Sequence, residues 1–366
     1  MRWHAWRMAK PQPVPQIEAL PPYVPGARGV RGERPPVKVS SNENPATPLP
    51  SVVEALHSAS TTINRYPDMF AVELTERLAA RHGVQPANVV TGGGSVGVLA
   101  HLLQAFAGPG DDVLFAWRSF EAYPILTSLA GATPVTVPLD ADARHDLPAL
   151  AAAISPQTKV VMVSSPNNPT GPAVRADEFE QFMSAVPEHV LVVLDEAYVE
   201  YVTDPAAVAG ETLVGRYENL LVLRTFSKAY GLAGLRVGYA VGPESIVSAV
   251  RKAVTPFSVS TVAQVAAIAS LDAEDELRER VESTIAERAR VVAALAEQGW
   301  SVPEAQGNFV WIPAGDRALE LAQHLAAQDP QVLVRPFAGD GVRITIGAPE
   351  ETDAVLAALA NLAWRV

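Results

Sequence analysis

Cysteine is absent from all 366 residues. That excludes disulfide frameworks, thiolate nucleophiles and cysteine-based zinc sites together, and it fits a cytoplasmic location. Basic charge is also scarce: 28 Lys and Arg against 40 Asp and Glu leave a formal net charge of −12. Such a chain repels a polyanion and carries no compensating basic stripe, so no nucleic-acid partner is expected. No apolar run approaches the ~18–20 residues of a membrane span, and prolines interrupt the N-terminal stretch where a secretory signal needs an unbroken apolar core. The seven histidines show no ligand-like i, i+4 spacing, so no metal is expected.

What is present reads as two closely packed domains, since 366 residues exceed what one compact core usually covers. Residues 1–48, rich in Pro and Gly, form an extended arm that must lie against the small domain or a partner subunit to be ordered. Residues 49–255 form the large domain. Within it, short apolar runs at 88–91, 112–116, 133–137, 160–164, 190–195, 220–225 and 237–241 alternate with helical periodicity. Their continuity implies strands buried on both faces, hence an α/β fold with a mostly parallel sheet. Residues 256–366 read as a smaller α+β domain, with a long helical stretch at 263–298 and strand-like runs at 308–312 and 342–346.

The loop Thr91-Gly92-Gly93-Gly94-Ser95-Val96-Gly97 follows a strand and opens a helix, so its peptide N–H groups face an anion. Gly92, Gly94 and Gly97 also satisfy the dinucleotide pattern GxGxxG, but the next strand ends in Ala116-Trp117, with no acid for a ribose. Gly93 to Gly97 satisfy GxSxG, yet the only late histidine, His324, sits in an amphipathic helix rather than on a triad loop. A nicotinamide-dependent oxidoreductase and a hydrolase each explain this loop and nothing else. A plain tight turn with no ligand is a further reading.

With only five lysines, at 10, 38, 159, 228 and 252, elimination is possible. Four stand in the arm, before strands or beside Arg251, and read as solvated charges. Lys228 follows the apolar run 220–223, so it lies near the carboxyl end of a parallel strand, where open α/β sheets bind ligands. An amine there, short of water and near a cation, shifts toward its neutral nucleophilic form. The alternative is a lysine whose stem packs and whose head reaches water.

Other groups gather at the same rim. The prolines of Ser165-Pro-Asn-Asn-Pro-Thr-Gly171 fix a turn that aims Asn168 at the crevice. Asp195 ends an apolar strand, and a buried carboxylate there demands a partner such as a protonated pyridine nitrogen. Tyr198 is placed to bond a phenolic oxygen on the same ring. Thr225, Ser227 and Arg236 offer donors to a phosphate.

The strings SPNNPTG (165–171), VLDEAYVEY (193–201) and RTFSKAYGLAGLRVGYA (224–240), with SNENP (41–45), NRYPD (64–68) and VRITIG (342–347), resemble the fold-type I, class II aminotransferases. Within these the chain resembles the histidinol-phosphate aminotransferase branch. It is most similar to the actinobacterial aromatic amino acid aminotransferases, whose FxWRSFExYP loop matches residues 115–124. Each motif alone is weakly specific; their order and spacing from Tyr23 to Asp353 are not.

The resemblance implies a pyridoxal 5′-phosphate enzyme. Lys228 would condense with the cofactor aldehyde and then move the substrate proton; Asp195 would keep the pyridine nitrogen protonated; Asn168 and Tyr198 would hold the phenolic oxygen; Phe120 would stack on the ring. Gly94, Ser95, Ser227 and Arg236 would bind the phosphate. Tyr66 would reach it from the neighbouring subunit of a homodimer. For Tyr66 and Phe120 core packing is the other reading. Arg343, with Asn168 and Arg335 beside it, would grip the substrate carboxylate, unless it is an edge-strand salt bridge. Tyr23 joins the substrate residues, and Phe120, Tyr123, Trp117, Phe257 and Phe337 are further candidates for an apolar wall. The implied reaction is ping-pong transamination of phenylalanine or tyrosine with a 2-oxo acid such as 2-oxoglutarate. Histidinol phosphate is the rival substrate. A catalytically dead binding protein would be expected to lack Lys228 or Asp195, and both are present.

Overall fold

The computed structural model describes residues 10–18, 20, 29 and 34–365. Its strands are β1 (Val37–Lys38), β2 (Val89–Gly92), β3 (Asp112–Trp117), β4 (Thr133–Pro138), β5 (Thr158–Ser164), β6 (Leu191–Asp195), β7 (Leu220–Thr225), β8 (Gly238–Val241), β9 (Phe309–Ile312), β10 (Val332–Leu333), β11 (Arg335–Phe337) and β12 (Gly341–Thr345). Seven of them form one sheet in the order β2-β8-β7-β6-β5-β3-β4. Strands β3 to β7 run parallel to one another; β8 is antiparallel to both β7 and β2.

The apolar runs without polar alternation are buried on both faces, as their composition requires. Val160, Met162, Val193, Leu221 and Leu223 pack on one side, with the helices Gly94–Phe106 and Glu244–Ala253. Val161, Val163, Val192, Leu194 and Leu220 pack on the other, with the helix Ala176–Ala185. Burial of a Val or Leu side chain contributes about 1.5–3 kcal/mol each, so these central strands form the most strongly held part of the molecule.

After β3 the chain steps outward to β4, and after β5 it steps the other way through β6 to β7. The order therefore reverses between β3 and β5, and the crevice outside their carboxyl ends is where such sheets take ligands. A second, three-stranded sheet, β11-β12-β9, is antiparallel and has its own core around Trp300, Val310 and Ile344. Strand β1 pairs in parallel with β10, and Val39 accepts from Thr345, so residues 37–42 run alongside this smaller sheet.

The helical stretch expected at 263–298 is two helices, Thr261–Asp272 and Glu274–Glu297. Ala273, at φ −108 and ψ 38, breaks between them. The short strands β1, β10 and β11 are additions to the expected set.

Candidate active site

The site is assembled from the carboxyl ends of the parallel strands. Ser164, the last residue of β5, is in register with Asp195, the last of β6, and Asp195 with Leu223 of β7, two residues before its end. Each strand thus delivers its following loop to one cleft, of about 250 Å3. Ser95, Phe120, Asn168, Asp195, Tyr198, Ser227, Lys228, Arg236, Arg335 and Arg343 all line it, so ten of the expected residues are brought together.

Lys228 is partly buried, and its Nζ donates to the carbonyls of Ser41 and Asn42, each at 3.2 Å. Burial, reinforced by the nearby charge of Arg343, lowers its pKa from 10.5 to about 7. Near neutral pH a large share of this amine is therefore unprotonated and nucleophilic. The four other lysines do not line the cleft.

Asp195 is 6 % exposed. Burial raises its carboxyl from 3.8 to about 6, while the Tyr123 hydroxyl, donating to Oδ2 at 2.7 Å, works in the opposite direction. Its other oxygen, Oδ1, is buried without a hydrogen-bond partner. An orphaned carboxylate oxygen is costly, and a cationic ring N–H is the kind of donor that would satisfy it.

The same cleft holds a cradle for an anion. Gly94 has φ +78, and a Cβ there would overlap the Arg236 guanidinium. Gly238 on β8 is equally constrained, because a Cβ would overlap the backbone of Gly94 and Ser95. These glycines let the amino end of the helix Gly94–Phe106 and Arg236 close on one point. Arg236 Nη1 donates to the Ser227 hydroxyl at 3.1 Å. Thr225 also faces the cleft and accepts from the Ser227 amide at 3.1 Å.

Tyr198 is buried and accepts from Asn42 Nδ2 at 2.9 Å. Asn42 sits at φ 52 and is tied to Thr345 through both its amide and its side chain. Arg343 donates to Asn168 Oδ1 at 2.5 Å and to the Ser40 carbonyl at 2.7 Å. Arg335 is engaged by Glu121. Asn167, beside Asn168, ties the loop after β5 to the loop after β3 by accepting from the Ser119 hydroxyl at 2.8 Å and donating to the Arg118 carbonyl at 3.0 Å.

Of the six aromatic wall candidates, Phe120 and Phe337 line the cleft. Tyr123 lies behind it on Asp195, Trp117 stacks under Arg118 at 4.4 Å, and Tyr23 falls outside the described residues. Phe257 is 40 % exposed and stacks on Tyr66 at 4.6 Å, and Tyr66 itself is 82 % exposed and does not reach this chain's cleft. Sequence reading passed over Tyr123 as an acid partner, Glu121, Ser119 and Asn167. It also left Asn42 without a role, although the SNENP string marked its position.

A cleft with a depressed lysine, a buried acid with one free oxygen and a glycine-lined cationic cradle has the donor set for an aldehyde cofactor bearing a basic ring nitrogen and a phosphate. Residues 34–359 match the family model Aminotransferase class I and II, and the chain belongs to that family. It is 54% identical over 340 residues to an aromatic amino acid aminotransferase of Thermobifida fusca, covering 93% of this chain and 94% of that protein. A Streptomyces avermitilis protein of the same name is 52% identical, again with 93% and 94% covered. Among solved structures, the histidinol-phosphate aminotransferase of Sinorhizobium meliloti in complex with pyridoxal-5′-phosphate is similar, with a TM-score of 0.87 and 30% identity over 97% of this chain and 98% of that one. The protein is thus an aminotransferase of fold type I. Among the described residues there is no cluster of His, Asp and Glu fit for a metal ion and no helix long and apolar enough to cross a membrane.

Proposed function

We propose that this aminotransferase exchanges amino groups between aromatic amino acids, phenylalanine and tyrosine, and 2-oxo acids such as 2-oxoglutarate. The cofactor is pyridoxal 5′-phosphate. When bound, it supplies an aldehyde for amines and a ring that draws electrons from the adjoining carbon. In this reading Asp195 would bond the ring nitrogen through Oδ1, with Tyr123 holding Oδ2. Tyr198 and Asn168 would hold the ring's phenolic oxygen, and Phe120 would cover the ring. Gly94 and Ser95 with Ser227 and Arg236 would take the phosphate. Lys228 would hold the cofactor and, once released as a free amine, would remove the proton from the substrate Cα and return one. Arg343 binds the substrate carboxylate, turned toward it by Asn168 and Ser40, with Arg335 at its side. Tyr23 would complete the substrate wall. We assign the chain an arm (1–48), a large domain (49–255) and a small domain (256–366), with Val259, Ala263, Ala266 and Ala267 packed back into the core of the large domain against residues such as Leu49, Val52 and Phe226.

The observation that carries the aromatic assignment is that Arg343, the guanidinium assigned to the carboxylate, shares the cleft with the rings of Phe337, 5.9 Å from it, and Phe120. A carboxylate there leaves an amino acid's side chain against an apolar wall. The names of the Thermobifida and Streptomyces relatives support the same substrate class. Histidinol phosphate is the second reading, favoured by the presence of two arginines, 335 and 343, at register-paired positions. Initial rates with phenylpyruvate and with histidinol phosphate, measured side by side, decide. Higher kcat/KM for phenylpyruvate is expected, and preference for histidinol phosphate would overturn the assignment.

We further propose a homodimer in which Tyr66 enters the partner's cofactor phosphate site. Ile63, Tyr66, Met69, Phe70 and Phe257, all exposed apolar residues, support it, since so concentrated a patch marks an interface.

A further inference from the structure

Asn42 lies in the stretch that runs beside the smaller sheet, is 0 % exposed and sits at φ 52, a left-handed conformation that Asn tolerates better than most side chains. Thr345 of β12 holds it there. The Asn42 backbone N–H donates to the Thr345 hydroxyl at 2.9 Å, and that hydroxyl in turn donates to Asn42 Oδ1 at 3.0 Å. Because the backbone N–H can only donate, the direction of both bonds is fixed, and Nδ2 is the atom left to face Tyr198. It donates to the Tyr198 hydroxyl oxygen at 2.9 Å. The Asn42 carbonyl meanwhile accepts from Asn308 Nδ2 at 3.3 Å and from Lys228 Nζ at 3.2 Å.

A phenol has a single proton, and an N–H aimed at its oxygen turns that proton to another side. Among the described residues the Tyr198 hydroxyl has no other hydrogen-bond partner, and Tyr198 lines the cleft. Burial raises this hydroxyl above its ordinary value of 10.0, so it keeps its proton near neutrality. The charges acting on it are those of Arg343 and Asp195, and Lys228 Nζ stands 5.7 Å from its ring.

We propose that Asn42 is a positioning residue: its side-chain amide turns the Tyr198 proton into the cleft and so makes Tyr198 a hydrogen-bond donor to the cofactor's phenolic oxygen. This rests on the reading of Tyr198 as that oxygen's partner. Without the amide the hydroxyl is free to rotate, and its donation is no longer enforced. The hydroxyl competes for the phenolic oxygen with the proton on the lysine nitrogen that holds the cofactor. Weakening the hydroxyl's bond therefore lets that nitrogen keep its proton to higher pH.

The test is a pH titration of the visible absorbance of enzyme saturated with pyridoxal phosphate, without substrate, read as its midpoint. Asn42→Gly removes the amide while glycine still adopts φ 52 and keeps the backbone bonds to Thr345 and Lys228. Its midpoint should rise by about half a pH unit or more. Tyr198→Phe should raise the midpoint at least as far, and adding Asn42→Gly to it should move the midpoint by less than about 0.2 unit further. A general loosening of the site would instead shift both backgrounds alike. No rise in Asn42→Gly, or an equal rise in both backgrounds, overturns the proposal. If Tyr198→Phe itself leaves the midpoint in place, the reading of Tyr198 falls and the proposal with it; a shift there without one in Asn42→Gly sinks the proposal alone. Should Asn42→Gly not fold, Asn42→Asp takes its place. A carboxylate of the same shape keeps the Thr345 bond but draws the Tyr198 proton to itself, so the midpoint should rise further in the parent background than in Tyr198→Phe, where only the added charge acts. Equal rises in the two backgrounds overturn the proposal.

Discussion

Replacing Asp195 by Asn should destroy cofactor retention while making the empty protein more stable. Burial raises the carboxyl from 3.8 to about 6, so the folded chain holds this proton more tightly than the unfolded one. The sign follows from linkage: there is no cost below about pH 3.8, the cost grows as pH rises through that range, and it is complete above about pH 6. At about 1.36 kcal/mol per pH unit, the interval corresponds to about 3 kcal/mol carried by the cofactor-free enzyme near neutrality. The Asn variant sheds this charge but buries an amide with one N–H group unmatched, which returns about 1–2 kcal/mol. Urea unfolding of cofactor-free protein at equal concentration should therefore show Asp195→Asn more stable by about 1–2 kcal/mol at pH 7.5, with the advantage disappearing by pH 5. A variant that is less stable at pH 7.5, or an advantage independent of pH, would refute the claim that this acid is held in a strained, ionised state awaiting a cation. Such a site trades stability for binding, as functional sites commonly do.

Arg343→Lys replaces a planar fork that donates in two directions by a single ammonium. The kcat/KM for phenylalanine should fall about 100-fold, chiefly through KM, and a change under threefold would contradict its role as the carboxylate clamp. Gly94→Ala places a methyl group at φ +78 and against Arg236, so the dissociation constant for pyridoxal phosphate, followed by absorbance titration, should rise about tenfold; unchanged affinity would remove Gly94 from the phosphate cradle.

The parts of the molecule legible in the amino-acid sequence are those governed by local physics. Strands β5, β6 and β7 announce themselves because a doubly buried strand must be largely apolar, and their last residues, Ser164, Asp195 and Thr225, line the cleft. Lys228 stands out because only five lysines exist and the other four lack an apolar strand before them. The break at Ala273 left no trace, since neither Gly nor Pro marks it and Asp272 and Glu274 continue a helical pattern. Tyr123 reads as a candidate for the apolar wall, and nothing local shows that its hydroxyl meets Asp195, 72 positions on. Nothing local to Glu121 shows that folding brings Arg335 to it across 214 residues. Pairings at that separation are set by the packing of the two sheets, which no window of sequence contains.

One amine, that of Lys228, is proposed to hold the cofactor. Borohydride added to the enzyme saturated with pyridoxal phosphate should bleach its visible absorbance and fix the cofactor to one tryptic peptide, that containing Lys228, and Lys228→Ala should take up no label there. Label on Lys38, Lys159 or Lys252, or a Lys228→Ala protein that transaminates at the parental rate, would contradict the account.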